Sequence, residues 1–394
     1  MPDQLGRRET SRTVERLGSQ AEAQDFVVAQ LPSTRHRMAM YGWFMTERVL
    51  STRELNRALL ARQLLLERSP LPVPRALEAV AGLQTQYAPA AYVGLWSRLH
   101  DFRREDLTRA LEQRSAVQAT LMRSTIHTVS AEDYALFAAG LRDGRRQWWL
   151  RAAARNLVGF DMALAAGALR RRLEQGPART AELKALLAAS GAPAVAWQGV
   201  GFWLDLVRVP PSGTWEQRRA DLYGLADSWL GAPDPGAEAG LVHLARRYLA
   251  AFGPATVNDI AGWAGVPATQ IKPALAILAL RRFRDVKGAE LFDLAVAPLP
   301  GPDTPAPVRF LHTWEAALLV HARRTQILPE RHRNLVFHVR TPHSIPTFLV
   351  DGAVAGAWRY EDGVVRLNPF EPLAPRVRRE LEREAKALAA FHAG

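Results

Sequence analysis

The 394-residue chain contains no cysteine, which excludes a disulfide scaffold, a thiolate metal site and a cysteine nucleophile together. It has no run of about 18 apolar residues, the length a membrane-spanning helix requires. The first 45 residues also lack the continuous apolar stretch of about 7 to 15 that a secretory signal carries. A cytoplasmic protein with no membrane partner is expected. G-x-x-x-x-G-K-[ST], G-x-G-x-x-G after a strand and the G-x-S-x-G elbow are all missing, which removes the common nucleotide-binding and serine-hydrolase classes. His312, His321, His332, His338 and His343 follow one another in sequence, yet none forms an i,i+4 pair with a carboxylate in the manner of H-E-x-x-H, so no metal and no cofactor are expected. Lysine is scarce as well: Lys184, Lys272, Lys287 and Lys386 are the only four among 51 basic residues.

Apolar residues make up 48% of the chain, aromatics 8% and charged residues 23%, an ordinary globular balance whose length implies two to four domains. The formal net charge is +12, and it is uneven. Residues 46–175 carry 20 basic against 13 acidic groups, whereas 1–45 carry 6 against 5, 176–300 carry 12 against 11, and 301–394 carry 13 against 10. An excess concentrated in one third of the chain is what a localised polyanion footprint produces. The preference for Arg over Lys suits bidentate phosphate contacts, but a GC-rich genome writes the same bias, so the weight rests on the asymmetry.

Residues 1–45 read as an N-terminal extension. Ser51 with Glu54 forms a capping box ahead of a helix through Leu55, Leu59 and Leu66. A second helix is expected over Arg75–Leu83 behind Pro74, and a third over Arg104–Gln113. Ala116–Met122 and Ser124–Val129 then read as a hairpin. Gly176-Pro177-Ala178 with Glu182-Leu183 and Gly253-Pro254-Ala255 with Asp259-Ile260 recur 77 residues apart. The second copy continues with a helix stopping at Gly265, another through Leu275, and strands over Phe283–Val286 and Glu290–Leu294. Helix, glycine turn, helix and hairpin is a winged helix-turn-helix. After a Pro-rich linker at 298–307, short β-rich runs at Leu335–Val339, Thr347–Val350, Val354–Tyr360 and Val364–Leu367, with Asp351-Gly352 and Asp362-Gly363 as turn dipeptides, predict a small sheet or barrel. A helix over Pro375–His392 covers it through Val377, Leu381, Leu388 and Phe391. The expected fold is α+β and mostly helical, with three tandem winged-helix domains and a C-terminal β-barrel-like domain. Its boundaries are 1–45, 46–158, 159–236, 237–300 and 301–394.

Several side chains are candidates for chemistry. Gln84 falls seven residues after Leu77 and four after Val80, so on the second helix its amide points along the buried stripe and needs fixed partners or a ligand. By itself a Q-x-Q at a helix end also reads as two amides that cap the last carbonyls or face water. Arg123, Thr125 and His127 alternate along the second hairpin strand and share a face suited to phosphate contacts, unless that face is simply polar by exposure. Arg145 and Arg146, next to Trp148 and Trp149, combine cations with aromatics that either stack on bases or belong to a helix core. Arg323 and Arg324 form another basic pair, for DNA or for solvent.

The order Leu50–Ala58, Gly82-Leu83-Gln84-Thr85-Gln86, Leu95–Leu99, Leu121–His127, Pro211–Trp215, Gly253–Thr256 and Val350–Arg359 resembles the winged-helix DNA glycosylases of the AlkZ and YcaQ type, from about residue 46 to the C-terminus. The resemblance implies three winged helices and a β-barrel wrapped on duplex DNA. It carries the catalytic pair onto Gln84 and Gln86, the AlkZ-like glutamine variant, with Thr85 in a slot that is usually apolar. It further implies hydrolysis of bulky N7-alkylated purines from DNA, unhooking of interstrand crosslinks, and protection of a producer of DNA-alkylating natural products. The expected protein is a monofunctional, monomeric enzyme without a cofactor. The competing reading is a non-catalytic winged-helix regulator, since fold alone does not fix function.

Overall fold

The computed structural model describes residues 48–231, 234–319, 324–337 and 343–394. The expected N-terminal extension therefore lies outside the described residues. β1 (Val49–Leu50) leads into α1 (Thr52–Arg62). The Ser51 hydroxyl accepts from the Glu54 amide at 3.2 Å and the Glu54 carboxylate accepts from the Ser51 amide at 2.8 Å, so the capping box forms as its spacing predicts. α2 (Val73–Ala79) is shorter than expected. Ala81 and Gly82 adopt left-handed φ values of 58° and 79°, which end the helix and turn the chain into β2 (Leu83–Gln84). A Cβ on Gly82 would lie 2.6 Å from Val129 Cγ1, so glycine is what lets this turn lie against the neighbouring strand. The expected helical position of Gln84 is thereby corrected: it is a strand residue.

α3 (Pro89–Trp96) follows, then α4 (Arg104–Glu112), β3 (Ala116–Thr120) and β4 (Ile126–Ser130). The hairpin is antiparallel, pairing Ala119 with His127. α5 (Ala131–Ala153) runs into α6 (Met162–Leu173), β5 (Ala178–Arg179), α7 (Thr180–Ala189), α8 (Ala196–Gly199), β6 (Leu206–Arg208), β7 (Leu222–Leu225) and α9 (Ala226–Leu230). α10 (Ala237–Phe252) packs along α5, and α11 (Val257–Ala264), α12 (Ala268–Ile277), β8 (Leu280–Asp285) and β9 (Glu290–Leu294) complete the central part.

Both copies of the repeat enter their helix in the same way: Ala178 pairs with Tyr223 of β7, and Ala255 bridges Phe292 of β9. In the second copy α11 stops at left-handed Gly265, α12 follows, and β8 and β9 form the hairpin, as the spacing predicts. The strands, however, interlace. β2, β4, β3, β6, β7 and β5 form one six-stranded sheet in that order, and β1 lies parallel to β8. The expected boundary near residue 158 therefore separates strands of a single sheet.

The last part comprises β10 (Arg309–Leu311), α13 (Ala316–Leu319), α14 (Arg333–Val336), β11 (Thr347–Val350), β12 (Ala353–Glu361), β13 (Val364–Pro369) and α15 (Pro375–Ala393). Both Asp-Gly dipeptides supply paired positive φ values, 47° and 79° at Asp351-Gly352 and 52° and 78° at Asp362-Gly363, which is the hairpin geometry their sequence implies. The expected barrel is corrected to a four-stranded sheet in the order β10-β11-β12-β13, and among the described residues the fold is α+β without a closed barrel. The strand expected at Leu335–Val339 begins instead as a helical turn, and residues 338 and 339 lie outside the described residues. α15 covers the sheet through Leu381 and Leu388, which are fully buried beside Phe310 and Trp358. The Pro-rich segment is tied to α1: Arg53 donates to Pro302 O at 2.7 Å, Arg57 to Thr304 O at 2.7 Å and Arg62 to Pro298 O at 2.8 Å. Among the described residues no helix is long and apolar enough to cross a membrane.

Candidate active site

Gln84 stands opposite His127 in the register of β2 and β4 and is 3% exposed. Its carboxamide oxygen accepts from Arg123 Nη2 at 2.5 Å, while Arg123 Nη1 donates to Trp263 O at 3.2 Å. Arg123 reaches inward because it and Ser124 hold left-handed φ values of 50° and 58° in the turn between β3 and β4, so Arg123 is not the alternating strand residue its sequence suggests. Burial, with no carboxylate beside it, pushes the Arg123 guanidinium down to about 10, so it remains a cation at neutral pH.

Extended pairing continues one residue past Gln84, with the Thr85 amide donating to Ile126 O at 2.8 Å. Thr85 is buried, and its hydroxyl shares a hydrogen bond with Thr128 Oγ1 at 3.1 Å. A polar residue thus fits a slot expected to be apolar because its one polar group is satisfied. Gln86 is exposed in the loop before α3. The two amides of the Q-x-Q therefore differ in kind: one is buried and anchored on a cation, and the other faces solvent.

Beside Gln86, Tyr87 is exposed and its hydroxyl accepts from Arg218 at 2.9 Å. The Arg218 guanidinium also lies over the rings of Tyr87 and Trp215, at 5.9 and 5.7 Å. Tyr87 and Arg218 were not among the residues singled out in the sequence. The Pro211–Trp215 stretch, noted there only for its order, is the signal that leads to them: Gly213 O accepts from Gln118 at 2.9 Å and fixes the loop that carries Arg218.

The remaining candidates are less accessible than their patterns implied. His127 is buried and donates from Nδ1 to Thr125 O at 3.1 Å. Burial first, and the Arg123 charge second, push it down to about 3, so it is neutral near pH 7. Thr125 is half-buried, with its hydroxyl on Met122 O. Arg145 is 3% exposed and donates to Thr120 O at 2.6 Å. It points into the protein interior and not along an open surface, because it shares a helix face with buried Leu141 and Trp149. Arg146 is half-buried, capping Phe202 O through Nε and Nη2 at 3.1 and 3.0 Å. Trp149 is core and Trp148 is exposed. Arg323 and the side chain of Arg324 lie outside the described residues, as do His321 and His338. Among the described residues, no cluster of three His, Asp or Glu side chains is placed to hold a metal.

A family model described as DNA glycosylase AlkZ-like matches residues 77–391. The Streptomyces sahachiroi DNA glycosylase AlkZ is 19% identical, with a TM-score of 0.71 over 87% of this chain and 97% of that one. No curated protein matches the chain. The structural likeness speaks for the fold, and the sequence model spans most of the chain, Gln84 and Gln86 included. The chain belongs to the AlkZ-like DNA glycosylase family.

Proposed function

We propose that the protein hydrolyses the N-glycosidic bond of bulky N7-alkylated purines in duplex DNA as a monofunctional, monomeric enzyme. Gln84 and Gln86 are its catalytic pair. Crosslinked guanines and a role in self-resistance to a genotoxic natural product belong to the same proposal. The observation that carries it is the buried Gln84 amide held by Arg123 two residues away from an exposed partner amide, in a chain of this family. The alternative of two amides that cap helical carbonyls or face water fails at Gln84, a buried strand residue, and fits Gln86 in its exposure to solvent.

An N7-alkylguanine already carries positive charge, so it leaves readily and needs no strong general acid. In the reaction the C1′–N9 bond breaks, water oxygen bonds to C1′, and one water proton is released. Carboxamides do not titrate near neutrality, but they donate and accept hydrogen bonds. Arg123 occupies one acceptor site of Gln84 Oε1 and fixes the orientation of its amide dipole. Gln86, at the surface, holds the attacking water. This is positioning and electrostatic stabilisation, without base catalysis. Arg218 and Tyr87 are placed beside Gln86 to meet a backbone phosphate and a base face.

The test is release of free base from duplexes carrying different N7-alkylguanines, without added metal or nucleotide. Wild-type protein should release base, and Gln84→Ala or Gln86→Ala should slow release by about 100-fold. Release at the buffer rate for every N7 adduct rejects the reading.

A further inference from the structure

Arg145 on α5 and Arg208 on β6 enter one cavity of about 240 Å³ from two sides. They are 3% and 6% exposed. Arg208 Nη2 donates to Thr120 Oγ1 at 3.3 Å and to Tyr223 OH at 3.2 Å, whereas its Nε and Nη1 have no partner. Arg145 spends Nη1 on the Thr120 and Leu121 carbonyls and leaves Nε without one. Neither cation forms an ion pair with a carboxylate among the described residues. Asp205 also lines the cavity, but Arg142 already holds its carboxylate at 2.7 Å. Two buried cations with three unpaired donors closed off behind the cavity wall are costly unless something brings the opposite charge.

We propose that this cavity is an oxyanion site that takes a phosphate group. A phosphate group spreads its negative charge over tetrahedrally arranged acceptor oxygens that can reach two guanidiniums on separate elements at once, whereas a carboxylate's two oxygens lie in one plane; a free phosphate or monoester brings close to two charges and a backbone diester one. The site is separate from Gln84. Gln84, His127, Ala119 and Val207 form one row across the sheet, and Thr128, Gln118, Arg208 and Tyr223 form the next, so strand alternation directs the two rows to opposite faces. The turn that connects β3 and β4 touches both places, since Arg123 bonds Gln84 and Ser124 lines the cavity. The phosphate is either that of a DNA backbone or that of a free ion or mononucleotide.

Calorimetric titration with inorganic phosphate, at ionic strength held constant with chloride, tests the site directly. Wild-type protein should bind phosphate in preference to chloride, and Arg208→Gln should bind it at least tenfold more weakly. Equal phosphate affinity in wild type and variant, or no preference over chloride in wild type, overturns the proposal. Should Arg208→Gln fail to fold, wild-type crystals soaked in tungstate decide: anomalous density between Arg145 and Arg208 supports the site, and none overturns it. Titration of a fluorescent duplex separates the sources. Weaker duplex binding by Arg208→Gln, with competition by phosphate, identifies the DNA backbone, whereas unchanged duplex binding with lost phosphate binding identifies a free phosphate ligand.

Discussion

Arg62 and Arg98, which meet buried carboxylates, compare with Arg123, Arg145 and Arg208, which enter the interior without one. Arg98 and Arg62 each meet a buried carboxylate: Arg98 donates to both Glu315 oxygens at 2.9 and 3.0 Å, and Arg62 to both Asp293 oxygens at 2.6 and 3.0 Å. Each pair joins segments more than 200 residues apart in sequence. Arg123, Arg145 and Arg208 meet only neutral acceptors. Burial pushes all three below the ordinary arginine value. The carboxylate-paired cations tie distant segments of the scaffold together, whereas the other three, of which Arg123 meets the proposed catalytic Gln84, have no bonded carboxylate among the described residues.

The largest expected effect is on the scaffold side. Arg98→Ala strands Glu315, which is fully buried, and should cost about 3 to 5 kcal/mol in a urea titration. Replacing both partners, as Arg98→Met with Glu315→Leu, should recover most of that loss, because no uncompensated charge remains. A single variant that loses less than about 1 kcal/mol would erase the contrast.

On the site side the balance reverses. Arg123→Met removes a cation that pairs with no carboxylate, so stability should shift by about 1 to 3 kcal/mol, the worth of its hydrogen bonds to Gln84 and the Trp263 carbonyl. Base release should nonetheless fall by about tenfold or more, because the Gln84 amide loses the donor that orients it. A loss of stability matching that of Arg98→Ala, with release intact, would move Arg123 into the scaffold group.

Local signals were legible in the sequence. The Ser51–Glu54 box, α4, the β3–β4 hairpin, the second repeat and both Asp-Gly turns form where spacing and turn chemistry place them. What escaped is non-local or against propensity. α3 is buried on every side, so it has no polar face to mark its period. Ala81, Arg123 and Ser124 take left-handed conformations that their residue types do not announce, and those three positions put Gln84 on a strand and Arg123 beside it. The joining of β3 to β6 depends on contacts some 90 residues apart, which no local pattern records. Arg145 was readable as interior, because Leu141 and Trp149 lie four residues to either side of it.

The most gradual expected effect concerns acid. His127 titrates at about 3 in the native protein, against an ordinary value of about 6.5. Above pH 6.5 neither state binds the proton. Below it the unfolded chain takes a proton that the native protein refuses, so stability should fall by about 1.4 kcal/mol per pH unit for this residue, down to about pH 3. Buried His312 and half-buried His392 are displaced in the same direction and add to the slope, whereas the carboxylates lowered by their partners, such as Glu315, act only nearer their own unfolded values. Urea midpoints between pH 6.5 and 5 thus report histidines. His127→Asn should flatten the slope there by close to one proton. Arg123→Met should leave the slope over this range nearly unchanged while raising the pH at which the acid loss ends, because it removes only the second cause of the displacement, after burial. A slope that flattens as much in Arg123→Met as in His127→Asn would mean that charge, and not burial, keeps His127 neutral, and the cation beside Gln84 would then be acting on the fold as strongly as on the site.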